Sequence, residues 1–153
     1  MTTPAARPDD RRARRSPVRT AALLYGVVFL LVGVAGFIPG YDTMQFAGHE
    51  SEAMLLGIFQ VSILHSIVHL LYGIAGLALA RSVSGARNYL RWGGAAYLLL
   101  WLCGLLVGEE SAANFVPLNS ADDWLHLFLG VTMLALSFLD RDAHDRTAGR
   151  ART

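Results

Sequence analysis

The stretch Leu55-Leu-Gly-Ile-Phe-Gln60-Val-Ser-Ile-Leu-His65-Ser-Ile-Val-His69-Leu-Leu-Tyr-Gly73-Ile-Ala-Gly76-Leu-Ala-Leu-Ala80 decides how the chain is read. It runs for twenty-six residues without a charge. A helix needs only about 20 apolar residues to cross the hydrocarbon core of a bilayer, so the excess predicts a tilted span. At about 100° per residue, Ser62, His65, Ser66, His69, Gly73, Gly76 and Ala80 fall within an arc of about 100°. Ile63, Leu64, Ile67, Leu70, Leu71 and Ile74 take the remaining faces. A helix with one narrow face of small and hydrogen-bonding residues, and aliphatic side chains elsewhere, packs against other helices within lipid. Gln60 falls on the opposite side near one end, where it is expected to meet water or a neighbouring chain.

Three similar segments flank this one. Thr20 to Ile38 is nineteen uncharged residues, about 28 Å as a helix, and Pro39-Gly40 closes it. Tyr89 to Val107 follows a short turn containing Arg81, Arg87 and Arg91, and ends at Glu109 and Glu110. Ser120 with Asp123 three positions on has the form of a capping box, so a fourth helix is expected from near Ala121 to Leu139. Asp42 is a candidate opener of a short interfacial helix in the first loop. The expected fold is therefore all-α: a four-helix antiparallel transmembrane bundle with spans at about 20–38, 55–80, 89–107 and 121–139. A basic arm over 1–19 and a polar tail over 140–153 flank it. The arm has almost no apolar surface to bury and is expected to be disordered.

Composition agrees with a membrane domain. Hydrophobic residues make up 54% of the 153 and charged residues 16%, where soluble domains carry about 25% charged. A formal net charge of +1 argues against nucleic acid as a partner. The single cysteine, Cys103, excludes a disulfide framework within the chain and reads as a small buried hydrophobe. All thirteen basic residues lie in the arm, the middle turn or the tail. By the positive-inside rule both termini face the cytoplasm, and the loops 41–52 and 109–122 face out. A cleaved signal peptide shares the basic start, yet nineteen apolar residues exceed the usual 7 to 15 of its hydrophobic region. The expected location is the cytoplasmic membrane, and the expected partners are the bilayer and a second copy or another membrane protein.

The candidate site is the polar face. Helix four carries Asp122, His126, Gly130, Met133 and Ser137 on one side. The depths of His65, His69 and His126 allow the three imidazoles to meet in the outer half of the bundle. Asp122, one turn above His126, is placed to hold a ring nitrogen. The polar network so expected comprises Ser62, His65, Ser66, His69, Asn119, Asp122 and His126. Its leading reading is interhelical hydrogen bonding in a non-enzymatic protein with no cofactor. One alternative is a redox module with a metal or haem held by His65, His69 and His126, although Ser66 stands where a zinc-protease helix has its glutamate. Another is a small proton-coupled or accessory transporter subunit. A relay needs an inner exit, and Gly73 to Ala80 offers no titratable group. Small-residue faces in helices one and three, including the G-x-x-x-G of Gly104 and Gly108, complete the packing pattern. Trp92, Trp124, Tyr25 and Tyr89 are placed for interface belts, and Tyr97 and Trp101 for core packing.

The segment Leu55 to Gly76, with Phe115-Val-Pro-Leu-Asn119 and Asp123-Trp-Leu-His126-Leu, resembles a bacterial family catalogued as domain of unknown function 4383, over about residues 20 to 139. The resemblance implies a small four-helix integral membrane protein and directs attention to His65, His69, Asn119 and His126. It implies frequent asparagine at the positions of Ser66 and Asp123, which this chain lacks, and it carries no activity.

Overall fold

A computed structural model of the protein describes residues 16–38 and 43–139. The arm through residue 15, the Pro39-Gly40 helix end, the Asp42 helix opener and the tail from residue 140 lie outside the described residues. Within them the chain forms four helices: α1 (Pro17–Ala35), α2 (Ile63–Leu79), α3 (Val83–Leu106) and α4 (Ser120–Leu136). A small antiparallel hairpin, β1 (Met54–Leu55) and β2 (Phe59–Gln60), precedes α2. Two of the helices, α1 and α3, are long and apolar enough to cross a membrane, and α2 is a shorter apolar helix.

The helix starts follow local chemistry. Pro17 takes the first helical position of α1, where its missing N–H costs nothing. Ser62 caps α2 by accepting from the His65 amide at 3.1 Å, and Ser82 caps α3 by accepting from Gly85 at 2.9 Å. The α4 capping box is formed by Asn119 and Asp122, one residue before the expected Ser120 and Asp123 pair. Helix α3 begins at Val83 rather than Tyr89, because the Ser82 cap starts it within the basic turn; Arg87 and Arg91 ride on its first turns.

The largest correction concerns the deciding stretch. The expected span from Leu55 breaks into a hairpin and a helix that starts eight residues later, at Ile63. Leu56 and Gly57 have φ of 55° and 69°, as the two central residues of a type I′ turn require. The Ile58 amide closes that turn onto the Leu55 carbonyl at 3.1 Å, and Val61 N–H extends the pairing to Ala53 O at 2.9 Å. Gln60 accordingly does not sit on a helix. Its side chain donates to the carbonyls of His49 and Ser51 at 3.1 and 2.8 Å, fastening the preceding loop to β2.

The four helices pack as two pairs. In the α1–α2 pair the backbones touch: a Cβ at Gly26 would stand 2.9 Å from the Leu77 amide nitrogen and 3.1 Å from Gly73 O. In the α3–α4 pair, a Cβ at Gly94 would stand 2.8 Å from Gly130 O. Such approach is open only to glycine, and leucines of the facing helix, Leu30, Leu70, Leu98 and Leu134, pack onto the glycine surfaces. Gly108 meets nothing within 4 Å, so the literal Gly104–Gly108 motif is not a helix crossing. At the start of α1, Arg19 Nε donates to the Ala80 carbonyl at 2.7 Å, latching α1 to the C-terminus of α2.

Between the pairs the contacts are mainly rings. Phe29 of α1, 2% exposed, stacks on His69 of α2 at 5.7 Å and on Tyr97 of α3 at 5.4 Å. Tyr72 meets Phe29 edge-on at 5.0 Å and Tyr97 at 5.6 Å. Tyr25 OH and Thr132 Oγ1 share a 2.6 Å hydrogen bond that joins α1 to α4. Cys103 is exposed on α3, against the expectation of burial, because the inner face of that helix is taken by Gly93, Gly94 and Tyr97.

Candidate functional site

His65 and His69 lie one turn apart on α2, and His126 faces them from α4. The His65 and His69 ring centroids are 4.6 Å apart, and those of His65 and His126 are 6.2 Å apart. All three side chains are buried, at 4, 8 and 3% exposure. The expected meeting of the three imidazoles therefore occurs, although by ring contact rather than by hydrogen bonding. His65 Nδ1 and His126 Nδ1 are buried without a hydrogen-bond partner. Tyr97 closes the far side of His126 at 5.0 Å.

The rest of the expected network does other work. Ser62 caps α2, and Ser66 lies against Gly36 of α1 with its hydroxyl unpartnered. Asp122 does not hold His126. Its Oδ2 accepts from the Gln60 amide at 3.0 Å and the Asn119 amide at 3.2 Å, and Asn119 Nδ2 donates to Ile58 O at 2.8 Å. These bonds clamp the hairpin onto the start of α4, so Asn119 and Asp122 position a roof. A helical reading of 55–62 leaves the Gln60 N–H bonded within the helix, so the sequence pattern hides this clamp.

Beneath the roof is a cavity of about 190 Å³. Val28, Phe29 and Val32 of α1 form one wall, Leu55, Leu56, Phe59 and Val61 form the top, and Leu125 and Leu129 of α4 form the opposite wall. Its polar lining comes from His65, His69, His126 and Asp122. Val28, Leu56 and Leu125 are themselves exposed, so the cavity reaches the surface between α1 and α4.

Three site residues escaped the sequence reading or were assigned elsewhere. Phe29 lies on the small-residue face of the first helix, between Gly26 and Gly33, and that position was its signal. Tyr72 falls about 80° from Ser62 on the helical wheel, at the margin of the polar arc. Tyr89, expected at an interface, is buried beside Tyr72 with ring centroids 5.4 Å apart. The hydroxyls of Tyr72 and Tyr89 are buried without partners. Tyr72 of α2, with Tyr89 and Tyr97 of α3, brings hydroxyls beside the Gly73 to Ala80 stretch, which has none of its own.

Among the described residues no group of three or more His, Cys, Asp or Glu side chains is arranged to hold one metal ion. The imidazoles expected to share a metal pack ring against ring, and the nearest carboxylate, Asp122, is committed to backbone amides.

Fold and site together define a small, apolar four-helix protein with a buried imidazole cluster roofed by a hairpin. The chain belongs to the family described as Domain of unknown function (DUF4383), whose profile matches residues 19–139. No curated protein and no solved structure matches the chain.

Proposed function

We propose that the protein is a four-span membrane protein with both termini and the α2–α3 turn in the cytoplasm, and that it serves as a binding module rather than an enzyme. The histidine-lined cavity is its site, loaded from the surrounding lipid. The observation that carries the binding reading is the pair of buried, unpartnered ring nitrogens, His65 Nδ1 and His126 Nδ1, on residues that line this cavity. A buried polar atom without a partner costs about 1–3 kcal/mol, a cost that a ligand's hydrogen bonds would offset. The placement of all thirteen basic residues supports the orientation, and the exposed aliphatic surfaces of α1 and α3 support the spans.

Single cysteines in a Cys103→Ser background test the orientation. Ala113→Cys in intact cells should react with a membrane-impermeant maleimide, and Ser84→Cys only after permeabilisation. The opposite pattern, or equal labelling of both, would overturn the topology.

A second reading, a proton-coupled transporter subunit, is favoured by one observation. From His126 a run of rings that carry exchangeable protons passes through Tyr97 and Tyr72 to Tyr89 toward the inner end. Proton flux into vesicles that is lost in Tyr72→Phe would support it, and flux indistinguishable from empty vesicles would exclude it.

A further inference from the structure

We infer that the cavity takes the head of a neutral, single-ring amphiphile bearing carbonyl or hydroxyl groups, the chemistry of a membrane quinone or its quinol, with its apolar tail leaving between α1 and α4. The inference rests on the binding reading above and narrows it to a ligand class.

Size is the first constraint. A cavity of about 150 Å³ holds one benzene ring, so the 190 Å³ here suits one substituted ring and little more. Charge is the second. The polar lining consists of three imidazoles and one carboxylate, and none of its residues is an arginine. A fatty acid or phosphate head would meet the Asp122 carboxylate without a guanidinium to balance it, and so is disfavoured. Hydrogen-bonding capacity is the third. A neutral imidazole carries one donor and one acceptor, which match a ring carbonyl and a ring hydroxyl respectively. The two unpartnered Nδ1 atoms belong to residues on different helices, His65 on α2 and His126 on α4, whose rings stand 6.2 Å apart. Both atoms are closed off from the cavity as the rings stand, so a ring with polar groups at more than one position addresses both only once the imidazoles turn toward it. Phe59, half-buried in the lining, supplies flat apolar surface. Val28, half-exposed and part of the lining, lies where the tail would exit.

The test uses the full chain in nanodiscs of quinone-free phospholipid, with three probes: decyl-substituted benzoquinone, decylbenzene and palmitate. Saturable binding of the quinone at one per chain is expected, at least tenfold tighter than either other probe. His126→Leu should weaken it at least tenfold, and Val28→Trp, which narrows the exit while leaving all three histidines in place, should weaken it similarly; both variants are first shown to melt cooperatively. Decylbenzene binding as tightly as the quinone would overturn the head-group assignment and leave an apolar site. Preferential binding of palmitate would overturn the ligand class and leave the lipid-loaded site standing. Binding of none of the three to cooperatively melting protein would overturn both the inference and the binding reading.

Discussion

Replacing Asp122 with alanine should loosen the hairpin more than it disturbs the helices. Its Oδ2 atom accepts from the Gln60 and Asn119 amides, 62 and 3 residues away in sequence, and the side chain is 3% exposed. Loss of the capping box costs about 1 kcal/mol. The Gln60 amide would be left without its acceptor in a partly buried setting, adding about 1–3 kcal/mol. The sum is about 2–4 kcal/mol. At about 2–4 °C per kcal/mol for a chain of this size, the melting midpoint should fall by roughly 4–16 °C. Circular dichroism in mild detergent would read that fall, and amide hydrogen exchange would locate it. Exchange at Gln60 and Val61 should accelerate well before exchange in the middle of α2. Asp122→Asn keeps one acceptor oxygen and should lose about half as much. If Asp122→Ala left Gln60 exchange unchanged, or if all four helices loosened equally, the clamp would not be what holds the roof.

Two further outcomes follow from the same geometry. Gly26→Val should force α1 away from the Leu77 and Gly73 backbone and lower the melting midpoint sharply, whereas Gly108→Ala, in open space, should change stability by no more than about 0.5 kcal/mol; equal effects in a thermal melt would refute the crossing. Leu56 holds a left-handed backbone that costs a non-glycine residue roughly 1–2 kcal/mol, so Leu56→Gly should raise stability if the leucine serves only the turn. A gain in stability combined with weaker decyl-benzoquinone binding would mark its side chain as part of the cavity top.

The sequence was most legible where one periodicity governed a whole segment. Helical spacing along α2 puts His65 and His69 on one face, and depth along the chain puts His126 within about one turn of His65, close enough for the rings to meet. It was least legible at Leu55–Val61. A run of Leu, Ile and Phe is equally apolar as strand or helix, and periodicity cannot separate the two over so few residues. The decisive cue was the lone Gly57, which supports a turn only if Leu56 also accepts positive φ, and leucine seldom does. The Asp122 error followed from that one: with the hairpin misread as helix, the only visible partner for the carboxylate was His126. The Gly104–Gly108 motif misled for a different reason. The backbone contacts are made at Gly94 and Gly130, where the partner helix happens to pass, and a single sequence does not say where two helices cross.

The division into two glycine-sealed pairs bears on how the cavity could change volume. Within each pair, backbone lies on backbone, and separation would sacrifice contacts that no side-chain rotation could replace. Across the boundary, rings and the Tyr25–Thr132 bond join the helices and Gly48 N–H donates to Phe115 O at 2.8 Å between the loops, and the cavity sits on that boundary. A displacement of one pair against the other would therefore disturb ring contacts and loop bonds before any hydrogen bond within a helix. The hairpin, continuous with one pair and tethered to the other by two side chains, sets how far such a displacement can go.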